Sequence, residues 1–152
     1  MSENDDFEKM VAELQRKIER EEELTYSKTV IAEYRNPNNF RNMKSPDALG
    51  KLKGSCGDTV KITLSIENEI IKDACFWTDG CGASIACGNM LTSMIKGKNI
   101  DEANGISSEK LLDVLDGLPK EHQHCARLAV NTLHKIIKDY HKKEDNVKVK
   151  PS

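Results

Sequence analysis

The sequence lacks long hydrophobic runs and an excess of charge of either sign. No apolar stretch approaches the roughly 20 residues that a membrane-spanning helix needs, so we expect no membrane association. The first residues lack the basic region and apolar stretch of a signal peptide, so we expect no export. With 23 basic and 25 acidic residues, the formal net charge of −2 does not indicate a nucleic-acid-binding protein.

Five cysteines are present among the 152 residues. In a chain without an export signal, cysteines are more often metal ligands or catalytic groups than disulfide partners, because reducing compartments keep thiols free. The length suits one domain with a modest core. We therefore predict a cytoplasmic protein in which some of the cysteines carry the chemistry.

Residues 1–24 predict a charged amphipathic helix that forms an extension to the domain. Phe7, Val11, Leu14 and Ile18 recur at helical spacing among charged and polar residues. This narrow apolar stripe favours docking on the domain or on another chain, because an isolated helix is marginal in water. A homodimer joined through this helix is one alternative.

The middle of the chain contains sequence patterns typical of β-strands. Apolar and polar residues alternate over 60–66, and a second strand over 70–77 follows a turn at 67–69, which predicts an antiparallel hairpin. A short strand near 51–53 adds an edge.

Helical patterns surround this hairpin. Helices are predicted over 26–34, 83–96, 108–115 and 121–140. The charged tail, 142–152, has little to bury and is expected to be disordered. Residues 25–141 therefore predict an α+β domain, in which a small antiparallel three-stranded sheet packs against helices, with an extra N-terminal helix.

Three cysteines stand at positions that favour a bound inorganic group. Cys56 is flanked by glycine on one side, Cys81 lies between two glycines just before a helix, and Cys125 lies in the first turn of the last helix. Glycine lets the backbone come close to a bound group, and a helix N-terminus favours thiolates, which bind metals or attack sulfur. Asp58 and His124 are companion ligands close to these cysteines in sequence.

The remaining cysteines and one histidine are predicted to have no part in the chemistry. Cys75 falls in the middle of a strand and Cys87 inside a helix, where free cysteine packs as a small apolar residue. His122 is expected to be a solvated helix residue.

The ligand types leave the metal open. Three cysteines are one fewer than a stable iron–sulfur cluster takes, so a shell completed by Asp58 or His124 would be weak and suited to release. The same set also suits tetrahedral zinc. A Cys-His hydrolase with Cys125 as nucleophile is disfavoured, because adjacent side chains on a helix point in different directions.

Several short motifs, taken together in order and spacing, resemble one family. They are Tyr26-Ser27, Tyr34-Arg35-Asn36-Pro37, Gly54-Ser55-Cys56-Gly57-Asp58, Gly80-Cys81-Gly82 with Ile85-Ala86, Lys96-Gly97-Lys98 with Asp101-Glu102-Ala103, and His124-Cys125. Over residues 25–141 the chain resembles the U-type iron–sulfur cluster assembly scaffolds, which comprise the IscU family and the N-terminal domain of NifU.

The resemblance implies a scaffold and not an enzyme. It implies that a labile [2Fe-2S] cluster is built on Cys56, Cys81 and Cys125, with Asp58 and His124 as companion ligands that alternate. It further implies that a cysteine desulfurase passes persulfide sulfur to Cys125, that iron binds at the Cys and Asp positions, and that a ferredoxin-type donor supplies electrons. The finished cluster would then pass to apo-proteins.

Two details separate this chain from related patterns. The match to His124-Cys125, without an insertion before that cysteine, argues against the SufU branch of zinc-bound sulfur acceptors, which is the alternative function. The segment that dedicated Hsp70 and J-protein chaperones bind, usually Leu-Pro-Pro-Val-Lys, reads here Leu118-Pro119-Lys120-Glu121-His122. Chaperone dependence is therefore not predicted.

Overall fold

The computed structural model describes residues 3–149, and the side chains of residues 3–144. In chain order its elements are α1 (Glu3–Thr25), α2 (Lys28–Arg35), β1 (Ala48–Lys53), β2 (Thr59–Glu67), β3 (Ile70–Thr78), α3 (Gly82–Ile95), α4 (Ile100–Asn104), α5 (Ser108–Val114) and α6 (Gln123–Val149). This confirms the predicted α+β class.

The sheet has three antiparallel strands in the order β1-β2-β3, which confirms the predicted hairpin. Alternation along β2 buries Val60, Ile62 and Leu64, as a half-buried strand requires. Ile62 pairs with Phe76 of β3, and the ring of Phe76 lies in the core. The edge strand β1 begins three residues earlier than predicted, at Ala48.

Two helices cover the sheet. Helix α3 packs against β3 and α2, helix α6 packs on β1 and β2, and the two helices contact each other. Leu91 of α3 and Leu133 of α6 are fully buried in the shared core. Helix α3 ends before Gly97, whose φ of +83° is the left-handed conformation that the sequence predicted at this helix end.

Two helical segments differ from the prediction. No helix was predicted over 100–104, yet α4 forms there because Asn99 caps it and Ile100 and Ala103 are buried. The predicted disordered tail, 142–152, is corrected as far as Val149, since α6 continues through it. Lysine and glutamate are good helix formers, and the sequence contains no glycine or proline between Pro119 and Pro151. Residues 150–152 lie outside the described residues.

Helix α1 forms where predicted, but its apolar stripe does not dock on the domain. None of its residues is buried, and the side chains of Phe7 and Leu14 are 61% and 58% exposed. Its tie to the domain is polar, because Glu22 accepts hydrogen bonds of 2.7 Å from Tyr34 and from Arg35. Docking on another chain stays a prediction. In the described part of the chain, no helix is both long and apolar enough to cross a membrane.

Candidate metal centre

Cys56 lies at the tip of the tight loop between β1 and β2. The loop is closed by the backbone N–H of Gly54, which donates to the carbonyl of Asp58 at 2.8 Å, and by the N–H of Gly57, which donates to the carbonyl of Gly54. Gly57 has a φ of +95°, which a side chain would strain. The turn leaves the Cys56 thiol exposed to solvent.

Cys81 is the N-cap residue of α3, and its exposed thiol makes no capping hydrogen bond. Hydrogen bonds at the ends of β2 and β3 hold its loop beside the Cys56 loop. The N–H of Thr59 donates to Asp79 Oδ1 at 2.7 Å, and Thr78 Oγ1 donates to the carbonyl of Thr59 at 2.7 Å. The two cysteine loops are therefore fixed to each other by the sheet.

Gly80 allows the Asp58 carboxylate to approach the start of α3. A Cβ at Gly80 would lie 3.0 Å from Asp58 Oδ2 and 2.5 Å from Ser84 Oγ. Any side chain at Gly80 would displace these groups, so the glycine next to Cys81 is required by close packing. Asp58 is half-buried, and its carboxylate lies beside Gly80, the residue before Cys81.

Cys125 lies in the first turn of α6 and is only 3% exposed. Its Sγ accepts a hydrogen bond from Ser84 Oγ at 3.4 Å. The pKa of the Cys125 thiol is raised to about 11, chiefly by burial and to a lesser extent by charge repulsion from Cys81, Cys56 and Asp58, whereas the hydrogen bond from Ser84 lowers it. The helix N-terminus was expected to favour a thiolate at Cys125, but in the structure burial acts in the opposite direction and raises the pKa of this thiol.

His122 lies close to two of the thiols. Its ring nitrogen and the sulfurs of Cys81 and Cys125 all lie within 4.8 Å of one another, as one ligand atom from each residue. The prediction that His122 is a solvated helix residue is wrong, since it is half-buried against Tyr26 with ring centroids 5.8 Å apart.

His124, by contrast, lines a surface groove with the β1–β2 loop. It shares this groove with Lys53, Gly54, Ser55 and Arg127. Its Nε2 lies 3.8 Å from Cys125 Sγ, so it contacts one thiol but does not belong to the three-atom set. The sequence signal for His122 was its spacing: residues three apart lie on one face of a helical turn, whereas neighbours do not.

Cys75 and Cys87 are packing residues of the core, as predicted. Both are fully buried, and burial raises the pKa of each thiol. They are packing residues of β3 and α3.

The site therefore combines ligands from three distant chain segments. Cys56 and Asp58 come from one loop, Cys81 from the start of α3, and Cys125 from the start of α6. The thiols of Cys56 and Cys81 are exposed to solvent, whereas that of Cys125 is buried. The ligand assignment itself stays a prediction.

The domain is therefore an α+β protein that carries three thiols at one loop and at two helix starts, a candidate metal centre. The family model described as "NifU-like N terminal domain" matches residues 25–147. The chain belongs to this family.

Curated relatives carry related names. The chain is 37% identical over 123 residues to "Iron-sulfur cluster assembly scaffold protein IscU 1" of Archaeoglobus fulgidus, covering 80% of each chain. It is 40% identical over 128 residues to the IscU scaffold protein of Buchnera aphidicola, covering 81% of this chain and 100% of that one.

Solved structures are similar in fold. A NifU-like N-terminal protein from Brucella abortus superposes with a TM-score of 0.61 at 16% identity, covering 77% of this chain and 94% of that chain. A scaffold protein for a SUF system from Fervidobacterium islandicum also gives 0.61, at 20% identity, covering 74% and 96%. At these identities the likeness shows the fold alone.

Proposed function

We propose that this chain is a scaffold on which a labile [2Fe-2S] cluster is assembled and from which it passes to apo-proteins. The observation that carries the proposal is the convergence of Cys56, Asp58, Cys81 and Cys125 at one end of the domain, where the charges of the first three act on the thiol of the fourth. Relatives named as IscU scaffolds, 37–42% identical to the chain, support it.

The different exposure of the thiols suggests an order of binding. Cys56 and Cys81 are exposed, whereas Cys125 is buried and its raised pKa keeps it protonated at neutral pH. Iron is therefore expected to meet the exposed thiols and Asp58 first. Binding to Cys125 follows when a cation compensates the loss of its proton.

Sulfur is proposed to arrive on Cys125 from the persulfide of a cysteine desulfurase. His124, with Nε2 3.8 Å from the sulfur, is placed to take the thiol proton. The Cys125 thiolate then attacks the outer sulfur, a new S–S bond forms on Cys125, and the desulfurase cysteine leaves as a thiolate. Two electrons from a ferredoxin-type donor cleave that bond into sulfide and the Cys125 thiolate.

The five cysteines are all free, which fits a reducing compartment such as the cytoplasm. The proposed partners are the desulfurase, the electron donor and the acceptor apo-proteins. Dependence on dedicated chaperones is not part of the proposal, because the segment over 118–122 departs from the pattern that they bind.

The test is anaerobic assembly with ferrous iron, cysteine, a desulfurase and a reductant, followed by addition of an apo-ferredoxin. We expect a visible chromophore on this protein that moves to the acceptor. Serine in place of Cys56, Cys81 or Cys125 should abolish it, whereas the matched variant Cys87→Ala should retain it. A wild-type protein that gains persulfide but no chromophore would contradict the proposal.

The resemblance to the U-type scaffolds further suggests that Asp58 keeps the cluster labile. Asp58→Ala should therefore hold its cluster longer when acceptor is added, as measured by the decay of its absorption. Faster loss than in the wild type would count against this role.

A zinc-bound sulfur relay, as in SufU, is the second candidate. The proximity of Cys81, His122 and Cys125 favours it, because two thiolates and an imidazole suit zinc. Zinc together with persulfide on Cys125, and no acid-labile sulfide after anaerobic purification, would support this relay.

A further inference from the structure

Helix α1 exposes a row of apolar side chains to solvent. Of the nine large apolar side chains that are exposed in the described residues, six lie on this helix, namely Phe7, Met10, Val11, Leu14, Ile18 and Leu24. Single apolar residues are normal on a protein surface, whereas a contiguous apolar patch marks a contact with another molecule. Helix α1 is therefore a candidate interaction surface.

The spacing within this row is that of a seam between two helices. Phe7, Val11, Leu14 and Ile18, the α1 seam, follow one another at intervals of four, three and four residues. This is the a/d repeat of a coiled coil, in which each apolar side chain fits between four residues of a facing helix. Leu24 lies off the seam, about 110° round the helix. The surface that complements the seam is another amphipathic helix.

The α1 seam borders a groove beside α2. Val11, Leu14, Ile18 and Arg35 line an open space of about 540 Å³. Arg35 pairs with Glu22 at 2.7 Å, yet half of its side chain is exposed, so its guanidinium has donors left for a second carboxylate. A helix that lies in this groove therefore meets apolar side chains along its length and a cation at one end.

The charges along α1 make the helix complementary to a second copy of itself. Its first turn is acidic and carries Glu3, Asp5 and Asp6. Lys17 and Arg20 lie in its second half. Two antiparallel copies bring each acidic first turn towards the partner's Lys17, Arg20 and Arg35, and opposite ends of the two helix dipoles also lie side by side. A parallel pair would bring the two acidic first turns together.

One antiparallel register pairs all the residues of the α1 seam. When Val11 lies opposite the partner's Leu14, Phe7 lies opposite the partner's Ile18, and two-fold symmetry repeats both pairs. Because the same surface is used on both chains, the contact closes at two copies and does not continue into a filament.

The next position of the repeat also distinguishes the two orientations. Glu21 follows the α1 seam three residues after its last member. In a parallel pair the two Glu21 carboxylates would face each other and repel. In the antiparallel pair Glu21 lies opposite the partner's Asn4, whose amide can donate a hydrogen bond to it.

We propose that two copies of this chain dimerise through an antiparallel pair of α1 helices joined along the α1 seam. Helix α1 ends one residue before Tyr26, whose ring packs on His122. At about 1.5 Å per residue, the two candidate metal centres then lie roughly 35–40 Å apart along the helix pair. Each subunit therefore presents its own centre to partner proteins.

Sedimentation equilibrium of the metal-free full chain, over a wide range of concentration, measures the self-association. We expect a monomer–dimer equilibrium for the wild type. Leu14→Glu should raise the dissociation constant by more than about a hundredfold, because it puts two charges into an apolar seam. The matched control Leu24→Glu adds the same charge off the seam and should stay within about twofold of the wild type. A wild type that is monomeric at every concentration, or equal weakening by both variants, would overturn the proposal.

Photo-cross-linking tests the orientation without a charge in the seam. Chains with benzoylphenylalanine at position 7 are mixed with ¹⁵N-labelled wild-type chains, and mass spectrometry locates the cross-links. We expect cross-links to labelled peptides around Ile18. Cross-links to labelled peptides around Phe7 would indicate a parallel pair and refute the antiparallel one. Both measurements use metal-free protein, so the dimer can fail while the scaffold function stands, and the reverse.

Discussion

The cysteine-bearing end of the domain and its sheet–helix core place the same residue type in opposite environments. At the cysteine-bearing end, Cys56 and Cys81 are exposed in a loop and at a helix start. In the core, Cys75 and Cys87 are fully buried among apolar side chains. Cys125 belongs to the first region by its neighbours and to the second by its burial. Position in the fold, and not residue type, therefore decides which thiols are available for chemistry.

The largest effect is expected from a cavity in the core. Leu91→Ala removes a fully buried side chain from α3 and should lower the free energy of unfolding by about 2–5 kcal/mol. Met90→Ala, at the half-buried neighbouring position, is the matched control and should cost less. Urea unfolding followed by circular dichroism measures both. If both variants lost the same stability, Met90 would contribute to the core as much as Leu91 does.

The reactivity of the Cys125 thiol, compared with that of the exposed and the buried cysteines, can be measured by alkylation of metal-free protein with iodoacetamide. Because its pKa is raised from 9.0 to about 11, its thiolate should be about a hundredfold scarcer than that of an unshifted thiol near neutral pH. Its rate should rise about tenfold per pH unit up to that pKa, since only the thiolate reacts.

Mass spectrometry resolves the sites. The exposed Cys56 and Cys81 should be modified first, and Cys87 should stay unmodified in the folded protein. If Cys125 reacted as fast as the exposed thiols at pH 7, it would behave like the exposed cysteines of the cysteine-bearing end and not like the buried cysteines of the core.

Serine substitutions compare the two regions at constant size. Cys87→Ser puts a hydroxyl in an apolar environment and should cost about 1–3 kcal/mol of stability if the hydroxyl finds no partner. Cys81→Ser, at an exposed helix N-cap where serine is favoured, should leave the melting temperature unchanged or slightly raised. Cys87→Ala controls for the loss of the sulfur alone. A destabilised Cys81→Ser would mean that this thiol also has a packing role.

The smallest effect on stability is expected from the hydrogen bonds that join α1 to the domain. Tyr34→Phe removes the hydrogen bond to Glu22 and should speed amide exchange in α1, while the stability of the domain stays within about 0.5 kcal/mol, as for other surface changes. Glu22→Gln, which keeps an acceptor but loses the charge, should have a weaker effect on exchange. A large fall in domain stability would show that α1 is part of the core.

Much of the fold was predictable because strands and long helices carry periodic patterns. The alternation over 60–66 predicted β2 directly, and Gly97 marked the end of α3. Helix α4 was missed because five residues are too few for a period, and it depends on the burial of Ile100 and Ala103. The C-terminal part of α6 was missed because its charged residues signalled solvation, although they also favour helix.

The sequence by itself determined most of the elements, the family and the three candidate cysteines, because these follow from local spacing and from short motifs beside glycine. Only the tertiary structure decided that Cys125 is buried and protonated and that His122 faces the thiols. Burial and proximity depend on how α2, α3 and α6 pack together, and that packing brings Tyr26 and Cys81 close to His122 across nearly 100 residues of chain.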